Sequence, residues 1–581
     1  MKNKFSPALV ALILSALILP GFALAQQPRR EANSSGKTAA KTTDAPPTAS
    51  RRARVHSPGV TTAAVDEDFQ EALAVIQKNY IDGNKLDFND VYKSSITGML
   101  RSLDPHSNYF DRQEFEDMMT DQRSEYFGIG ASILSYPIGN SIDTYVTATF
   151  QNSPAWKAGL RYGDRIDAVD GVSMHGKPSA EVRDKIRGPQ NTHVTLTLTR
   201  AATNKAENVE IIRDKVPQPS VPDAYFLRPG VGYIDMTRGF NSDTADGLES
   251  ALEYLHGRGM TSLVLDLRNN PGGLLDQAIL VARTFLPAGQ VIMSQKGRNG
   301  MNDRIYTSTR TDPDRVPLVI LVNDLTASAS EIVAGSIQDH DRGLIVGQTS
   351  FGKGLVQSII RLPDNCFRGC AGLTLTSAYY YTPSGRLIQR DYSDGSFYNY
   401  IYRGGTLRDT NNTPKPNGPA MRTDTGRTVY GGGGITPDET IAPDTLTTAQ
   451  NRLRTPIFFF ARDLANGRVA GFDSYRADKA INYDHVIDEQ DFPSTEPLFQ
   501  AFRDYVAKDE NWKPLASQID KNRSFIETQL RYNLSMAAYG ITTSQQVLIR
   551  QDNQVAKAVD VLPRARELAM AAQRARLTQP N

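Results

Sequence analysis

The segment "GQTSFGKG" at residues 347–354 nearly spells a nucleotide-binding loop. Gly347, Gly352 and Lys353 fit its pattern of Gly, four residues, Gly and Lys, but Gly354 stands where the pattern has Ser or Thr. In a phosphate loop that hydroxyl holds Mg²⁺. Because Gly354 cannot supply a hydroxyl, the segment does not predict nucleotide binding, and Lys353 is left for other chemistry or for none.

A second segment, "NDLTASASEIVAG" at residues 323–335, follows an apolar run and opens a predicted helix. A serine at such a turn benefits from the positive end of the helix and from nearby N–H donors. Ser328 is therefore a candidate nucleophile. Ser328 and Glu331 also have the spacing of a helix capping box, so the residues alone support a nucleophile and a helix cap equally well.

A serine nucleophile needs a base, and the sequence offers two candidates. His340 lies in the same predicted helix as Ser328, roughly 18 Å away if that helix is continuous, and no histidine comes with an obvious Asp partner. A lysine can replace histidine in this role. Lys353 follows the next predicted strand, and loops at the carboxyl ends of neighbouring parallel strands lie side by side. Burial would lower its pKa from about 10.4 toward 7–8; without burial, Lys353 would be a surface residue of a glycine-rich turn.

The elements that must position these residues alternate between strand and helix from about residue 230 to 445. The short apolar runs "VGYIDM", "SLVLDL", "PLVILV" and "GLIVG" are separated by amphipathic helical segments. Alternation of this kind predicts α/β layering around a largely parallel sheet. At 581 residues the chain is too long for one domain. We divide it into an N-terminal helical segment (63–125), a β-rich domain (126–215), an α/β domain (216–445) and a C-terminal helical region (446–581).

The first 62 residues predict an exported protein. A short basic start, an apolar run, the Pro20-Gly21 break and a small-x-small site ending at Ala25 are typical of a secretory signal peptide over residues 1–25. An uncleaved anchor helix is the alternative that this break and site argue against. Residues 26–62 have few apolar side chains and predict a disordered linker. We therefore expect a protein of the periplasm or cell envelope, soluble once the signal peptide is removed.

Composition and cysteine content limit the classes of function and of binding site that the protein can have. The formal net charge of +1 gives no argument for binding nucleic acid. The two cysteines, Cys366 and Cys370, are closely spaced, which in an exported protein predicts a small-loop disulfide. A zinc site would need more ligands nearby, so no metal is expected.

Four stretches together resemble the C-terminal processing (tail-specific) protease family of Ser-Lys peptidases. They are "LDLRNNPGGLL", "TASASEIVAGSIQDHDRGLIVGQTSFGKGLVQ", "YYYTPSGRLIQ" and "GGGITPD", and the upstream segments "LDPHSNYF" and "YFGIGASI" also look like the family. The likeness covers roughly residues 65–445. It implies a multidomain α/β protein whose protease core is ClpP/crotonase-like, with an inserted β-rich PDZ domain between the N-terminal helical segment and the core.

The resemblance also implies roles for particular residues. Ser328 would be the nucleophile and Lys353 the general base. Gln357 would support the base; if its segment is helical, it lies one turn from Lys353 and can orient the amine. The oxyanion hole would use the N–H of Ala329 and that of a glycine in "NNPGG", for which we favour Gly273 over Gly272.

The β-rich domain would bind substrate tails if it is a PDZ domain. Such domains add a peptide strand and capture its terminal carboxylate on backbone amides. The carboxylate loop would be Phe127-Gly128-Ile129-Gly130, with helix "SAEVRDKIR" as the other wall of the groove. A PDZ domain that only regulates access is the alternative.

The function expected from the resemblance is that of an exported serine endopeptidase that cleaves proteins at or near their C-termini and needs no cofactor. Its partners would be proteins or peptides with exposed C-termini, not nucleic acid or nucleotide, while an adaptor protein and a homo-oligomer stay open. A noncatalytic PDZ scaffold is the rival from another class. The sequence departs from the family's pattern at Leu325, in the insert around Cys366 and Cys370, and in the long C-terminal region, which leaves the substrate undetermined.

Overall fold

The structure of the protein is a computed structural model that describes residues 61–362, 370–393, 400–401, 418–477 and 480–578, without the side chain of Phe88. The predicted signal peptide, nearly all of the predicted linker and Cys366 lie outside the described residues, so the disulfide stays a prediction. The described chain divides into two compact units, residues 61–103 and residues 104–578. No described helix is long and apolar enough to cross a membrane.

The first unit consists of two helices, α1 (Thr62–Asn79) and α2 (Phe88–Arg101). Thr61 and Asp87 cap their N-termini through side-chain hydrogen bonds. Phe69, Ile76 and Tyr80 lie at helical spacing along α1 and its end and are 42%, 48% and 55% exposed. The predicted helical segment is therefore present, although α1 buries no residue.

The second unit begins with a connecting segment and the β-rich domain. The helical segment predicted over residues 63–125 is interrupted, because α2 ends before Asp104-Pro105 and a strand follows before residue 125. The elements in chain order are β1 (Asn108–Phe110), α3 (Arg112–Asp121), β2 (Glu125–Gly128), β3 (Ala131–Ile138), β4 (Ser141–Thr149), α4 (Pro154–Lys157), β5 (Arg165–Val169), β6 (Val172–Ser173), α5 (Ser179–Ile186), β7 (His193–Thr199), β8 (Ala206–Ile212) and β9 (Asp214–Pro217). The main sheet has the order β3-β4-β5-β7-β8, and β2 pairs with β9.

The α/β domain follows, as the alternating pattern predicts. Its elements are β10 (Asp223–Arg228), β11 (Val231–Asp235), α6 (Thr244–His256), β12 (Ser262–Asp266), α7 (Leu275–Phe285), β13 (Val291–Gly297), β14 (Arg304–Thr307), β15 (Leu318–Val322), α8 (Ala329–Asp339), β16 (Leu344–Gly347), β17 (Leu355–Arg361), β18 (Gly372–Tyr381), β19 (Ala420–Arg422), β20 (Thr428–Tyr430) and β21 (Glu439–Thr440). The central sheet has the order β10-β11-β12-β15-β16-β21. It is parallel from β11 to β21, and its central strands are apolar because helices cover both faces.

Three loops leave this sheet at the carboxyl ends of neighbouring strands. They are the "NNPGG" loop after β12, the "TASAS" turn after β15 and the "GQTSFGKG" loop after β16. A second sheet, β1-β18-β13-β14 with β17 on β18, flanks the third loop. The topology therefore brings the three chemistry-bearing segments of the sequence to one edge.

The C-terminal region is helical, as predicted, with α9 (Thr448–Ala465), α10 (Glu496–Lys508), α11 (Arg523–Ile549), α12 (Asn553–Asp560) and α13 (Leu562–Thr578). Its first helices pack on the β-rich domain, where Phe458 stacks on Tyr136 at 3.8 Å between ring centroids. Its last helices pack on the central sheet, with Val555 and Leu562 in the same apolar cluster as Val264. The region thus holds the β-rich domain and the α/β domain together.

Candidate active site

Ser328 occupies the tight turn between β15 and α8. Its backbone has φ 58° and ψ −117°, a conformation that costs a residue other than glycine about 1–3 kcal/mol. The turn is fixed by Thr326, whose hydroxyl donates to the carbonyl of Leu267 at 2.8 Å. Ser328 and Glu331 form a capping box at the start of α8, and the Ser328 residue is partly exposed. The strained turn therefore places a serine that is open to solvent at the N-terminus of the helix.

The "NNPGG" loop lies directly against this turn. Gly272 has φ 92°, and a Cβ there would lie 2.7 Å from the Cβ of Ser328, so only glycine permits the approach. The N–H of Gly272 donates to Oδ1 of Asn270 at 2.9 Å. In the described part of the chain, the N–H groups of Gly273 and Ala329 have no hydrogen-bond partner. These two donors are available to a developing oxyanion, whereas that of Gly272 is not.

Lys353 lies in the loop after β16, where its amine is shielded from water. Burial lowers the pKa of Lys353 to about 8, and the negative charges of Asp104 and Glu331 oppose that shift. The lowered pKa raises the neutral fraction of the amine near pH 7–8, and the neutral amine is the form that a general base requires.

Gln357 contacts Lys353, but not from a helix. The helical interpretation of this segment is wrong, because residues 355–361 form β17 and pair antiparallel with β18. A bulge at Val356 and Gln357 shifts the strand register. Lys353 Nζ donates to Gln357 Oε1 at 3.0 Å, so the amine is oriented by a strand residue.

The "LDPHS" turn holds Gln357 in place. Gln357 Nε2 donates to the carbonyl of His106. That turn is closed by Asp104, whose Oδ1 accepts the N–H groups of His106 and Ser107 at 2.8 Å each. The backbone role of His106 does not follow from the sequence pattern, although Asp before Pro is a turn signal.

The His106 ring is kept neutral. Burial lowers its pKa well below 6.5, and the charges of Lys353 and Arg390 act in the same direction. Its Nε2 lies 2.6 Å from the hydroxyl of Tyr400. The ring therefore adds no positive charge beside Lys353.

The carboxylate of Glu331 joins the nucleophile turn to the lysine loop. Its Oε2 accepts the N–H groups of Ser328 at 2.8 Å and Lys353 at 2.9 Å. Its Oε1 accepts the N–H of Gly352 at 2.7 Å and the hydroxyl of Ser350. Glu331 is fully buried; burial raises its pKa, and the hydrogen bonds it accepts oppose that shift.

Ser328 and Lys353 are brought to neighbouring loops, but no hydrogen bond joins Lys353 Nζ to Ser328 Oγ; the amine donates to Gln357 instead. Hydrogen bonds between catalytic groups often tighten only when substrate is bound. His340, the other candidate base, follows the continuous helix α8 at the end opposite Ser328. It does have an Asp partner, distant in the sequence: Nδ1 lies 2.9 Å from Asp424 Oδ2.

Comparison with known proteins shows the family to which the chain belongs. The model of peptidase family S41 matches residues 230–394, and a PDZ domain model matches residues 145–200. A carboxy-terminal-processing protease of Bartonella bacilliformis is 39% identical over 308 residues, 52% of this chain and 68% of that protein. The chain belongs to the carboxy-terminal-processing proteases of peptidase family S41. It is a serine-type peptidase of multidomain α/β fold that carries a PDZ domain.

Other relatives of the protease are similar over comparable lengths. A carboxyl-terminal-processing protease of Synechocystis sp. is 34% identical over 336 residues, 57% of this chain and 76% of that protein. Among solved structures, a photosystem II D1 C-terminal processing protease is 27% identical and is matched over 66% of this chain and 94% of that chain, with a TM-score of 0.33. In the described residues, no group of three or more His, Cys, Asp or Glu side chains is placed to hold a metal ion.

The predicted peptide groove of the PDZ domain lies at a free sheet edge. Phe127 and Gly128 end β2, and Ile129 and Gly130 form the turn into β3. Gly130 has φ 73°, and a Cβ there would lie 2.3 Å from the Cβ of Ser153. β3 is the edge strand of its sheet, and α5 packs next to it. A strand-like peptide can therefore be added here, and the roles of residues 127–130 stay predictions.

Replacing Glu331 with Gln should loosen both loops at once. A glutamine has one acceptor oxygen and one donor nitrogen, so two of the four donors would face another donor. We expect Glu331→Gln to lower the free energy of unfolding by about 2–4 kcal/mol, since each unsatisfied buried group costs about 1–3 kcal/mol. Urea unfolding measures this, with turnover assayed in parallel. Glu253→Gln on the exposed side of α6 is the control; equal stability of the two variants would contradict this role of Glu331.

Proposed function

We propose that this protease is an exported endopeptidase that cleaves proteins at or near their C-termini, with Ser328 as nucleophile and Lys353 as general base. The observation that carries the proposal is the pair of N–H groups, Gly273 and Ala329, that have no hydrogen-bond partner among the described residues and lie beside the partly exposed Ser328 at a strained turn. Export is inferred from the signal-peptide pattern of residues 1–25. The substrates are proteins whose C-termini are exposed.

The chemistry follows from these groups. Neutral Lys353 takes the proton of the Ser328 hydroxyl as Oγ attacks the scissile carbonyl. The N–H groups of Gly273 and Ala329 stabilise the tetrahedral oxyanion. The leaving amine takes the proton from Lys353, and an acyl-enzyme remains on Ser328. Water, deprotonated by Lys353, then releases the new C-terminus and restores the serine.

The residues behind Lys353 set its orientation and its charge. Gln357 accepts a hydrogen bond from the amine and is itself held by the His106 carbonyl. Asp104 closes the same turn and contributes a negative charge toward Lys353. Since the amine donates to Gln357 at rest, closure of the dyad requires Lys353 Nζ to approach Ser328 Oγ.

The PDZ domain is proposed to capture the substrate tail and to favour that closure. Its entrance is hydrogen-bonded to the loop between β11 and α6: Ser242 N–H donates to the Gln122 carbonyl at 3.0 Å, and Ser124 hydrogen-bonds Asp243. Two residues before Ser242, Phe240 exchanges hydrogen bonds with the "NNPGG" loop. If the PDZ entrance moves when it binds a tail, these hydrogen bonds and Phe240 would therefore transmit the movement to the "NNPGG" loop and its Gly273 N–H group.

The catalytic assignment is tested by turnover of an unstructured protein with an apolar tail. Ser328→Ala and Lys353→Ala should each lower turnover by about 10³-fold or more, and EDTA should leave the unmodified protease active. His340→Ala is the control and should stay active. Equal turnover in all variants would overturn the dyad, and an inactive His340→Ala beside an active Lys353→Ala would favour a Ser-His mechanism.

The pH dependence tests the base. A Lys whose pKa is lowered to about 8 is protonated and inactive below that pH, so kcat/KM should rise with pH and level off above about 8. Asp104 favours the charged amine, so Asp104→Asn, which keeps the shape of the turn, should shift the profile to lower pH. Asp312→Asn, at an exposed residue of the α/β domain, is the control. An unshifted profile in Asp104→Asn would argue against Lys353 as the titrating base.

The role of the PDZ domain is tested with two peptides of one sequence. We expect a peptide with a free apolar C-terminus, added in trans, to raise the turnover of a short untailed substrate. The same peptide with an amidated C-terminus lacks the carboxylate and should have no effect. Activation by both peptides would show that recognition of a C-terminal carboxylate is not involved and would contradict this role of the PDZ domain. Activation by neither peptide would mean that the PDZ domain only delivers substrate and does not favour closure of the dyad.

A further inference from the structure

Arg268 of "LDLRNNPGG" is buried and shared between the protease core and the C-terminal region. Its Nε and Nη2 donate to the carboxylate of Asp266, which also accepts the Tyr233 hydroxyl at 2.8 Å. Its Nη1 donates to Asp552 Oδ2 at 2.7 Å and to Gln554 Oε1 at 2.9 Å. One guanidinium therefore links β12 to the start of α12.

The backbone that follows Arg268 is the loop that carries the oxyanion donors. Asn269 and Asn323 exchange hydrogen bonds of 2.8 Å, which ties the loop to the nucleophile turn. The Asn270 carbonyl accepts the Ala327 N–H at 2.9 Å and the Ser330 hydroxyl at 3.1 Å. Arg268 thus lies between the end of β12 and the start of the "NNPGG" loop, which runs from the sheet toward Ser328.

The start of α12, which holds Arg268, is itself held in place by helix-capping hydrogen bonds and by packing on the central sheet. Asp552 Oδ1 caps the helix by accepting the N–H groups of Gln554 and Val555, while its other oxygen reaches Arg268. Val555 and Ala558 pack into the apolar face of the central sheet. Gln554 Nε2 donates to the Ile441 carbonyl at 2.8 Å, and the Ile441 N–H donates to Gly347, the first residue of the lysine loop. The same helix end is therefore linked to both glycine-rich loops, through Arg268 to one and through Ile441 to the other.

We propose that Asp552 is a positioning residue for peptide cleavage: through Arg268 it holds the "NNPGG" loop where the Gly273 N–H meets the oxyanion. Asp552 lies outside the segments matched by the family models, residues 145–200 and 230–394. The inference rests on the proposed assignment of Ser328 and Gly273. It gives the C-terminal region a function in catalysis beyond joining the domains.

The test replaces Asp552 without removing the helix cap. Asn and Ser are both preferred N-cap residues. In Asp552→Asn an amide donor faces Arg268, and in Asp552→Ser the side chain is too short to reach it. Arg268 keeps Asp266 as its counter-charge in both variants, so no buried charge is left unpaired. We expect kcat on a tailed peptide to fall about tenfold with KM within about twofold, less than the 10²–10³ for losing an oxyanion donor outright.

A transition-state analogue separates positioning from stability. The inhibition constant of a peptidyl boronic acid, whose tetrahedral adduct places an oxygen in the oxyanion hole, should rise by the same factor as kcat falls, while affinity for the product peptide stays unchanged. Asp560→Asn, at an exposed carboxylate of the same helix, is the matched control and should behave as the unmodified protease. In a chain that carries Arg268→Gln and still folds, Asp552→Asn should have no further effect on kcat.

The outcomes separate the two proposals. If Asp552→Asn and Asp552→Ser lower only the thermal midpoint, or change KM and kcat alike, the positioning role is overturned while the dyad stands. If Ser328→Ala remains active, the proposed catalytic assignment fails, whatever the Asp552 variants do.

Discussion

The active site depends on one buried carboxylate. Glu331 accepts hydrogen bonds from the backbone of the nucleophile turn and from the backbone of the lysine loop, which otherwise belong to separate strands of the sheet. A carboxylate has enough acceptor sites for four donors, whereas a neutral side chain of similar size does not. The charge also lies close enough to Lys353 to oppose the lowering of its pKa. The same interaction therefore fixes the spacing of the Ser328 turn and the Lys353 loop, and it moderates the basicity of Lys353.

Each functional group reaches the site from a different strand, and each is held by a partner far away in the chain. The "NNPGG" loop follows β12, Ser328 follows β15 and Lys353 follows β16. Gln357 lies on the second sheet and is held by the "LDPHS" turn. Parallel strands make this convergence possible, because their carboxyl ends share one edge. Small residues then allow the loops to touch, most clearly at Gly272 against Ser328. In the mechanism proposed above, Lys353 Nζ, which donates to Gln357 in this structure, must approach Ser328 Oγ.

Local patterns predicted the elements, and resemblance predicted the candidate residues. Apolar runs placed β11, β12, β15 and β16 within a residue or so, because buried parallel strands are continuous apolar segments. The condition that Gln357 lies on a helix is not met, since pairing with β18 outweighs any local preference of seven residues. The His106 carbonyl and the Asp552 carboxylate could not be found from the sequence, as they act across 251 and 284 positions of chain. Whether Cys366 pairs with Cys370 stays a prediction.

The strained backbone of Ser328 has a consequence for how the protein can change over evolutionary time. Glycine adopts φ 58° without the steric cost that serine or alanine bears there. A chain with glycine in place of Ser328, the proposed nucleophile, would lose strain of order 1–3 kcal/mol, offset in part by the greater freedom of glycine in the unfolded state. Selection for stability alone would therefore favour glycine here and an inactive binding protein with the same PDZ domain and core. If Ser328 is the nucleophile, we expect serine to be kept at this turn only while proteolysis is under selection.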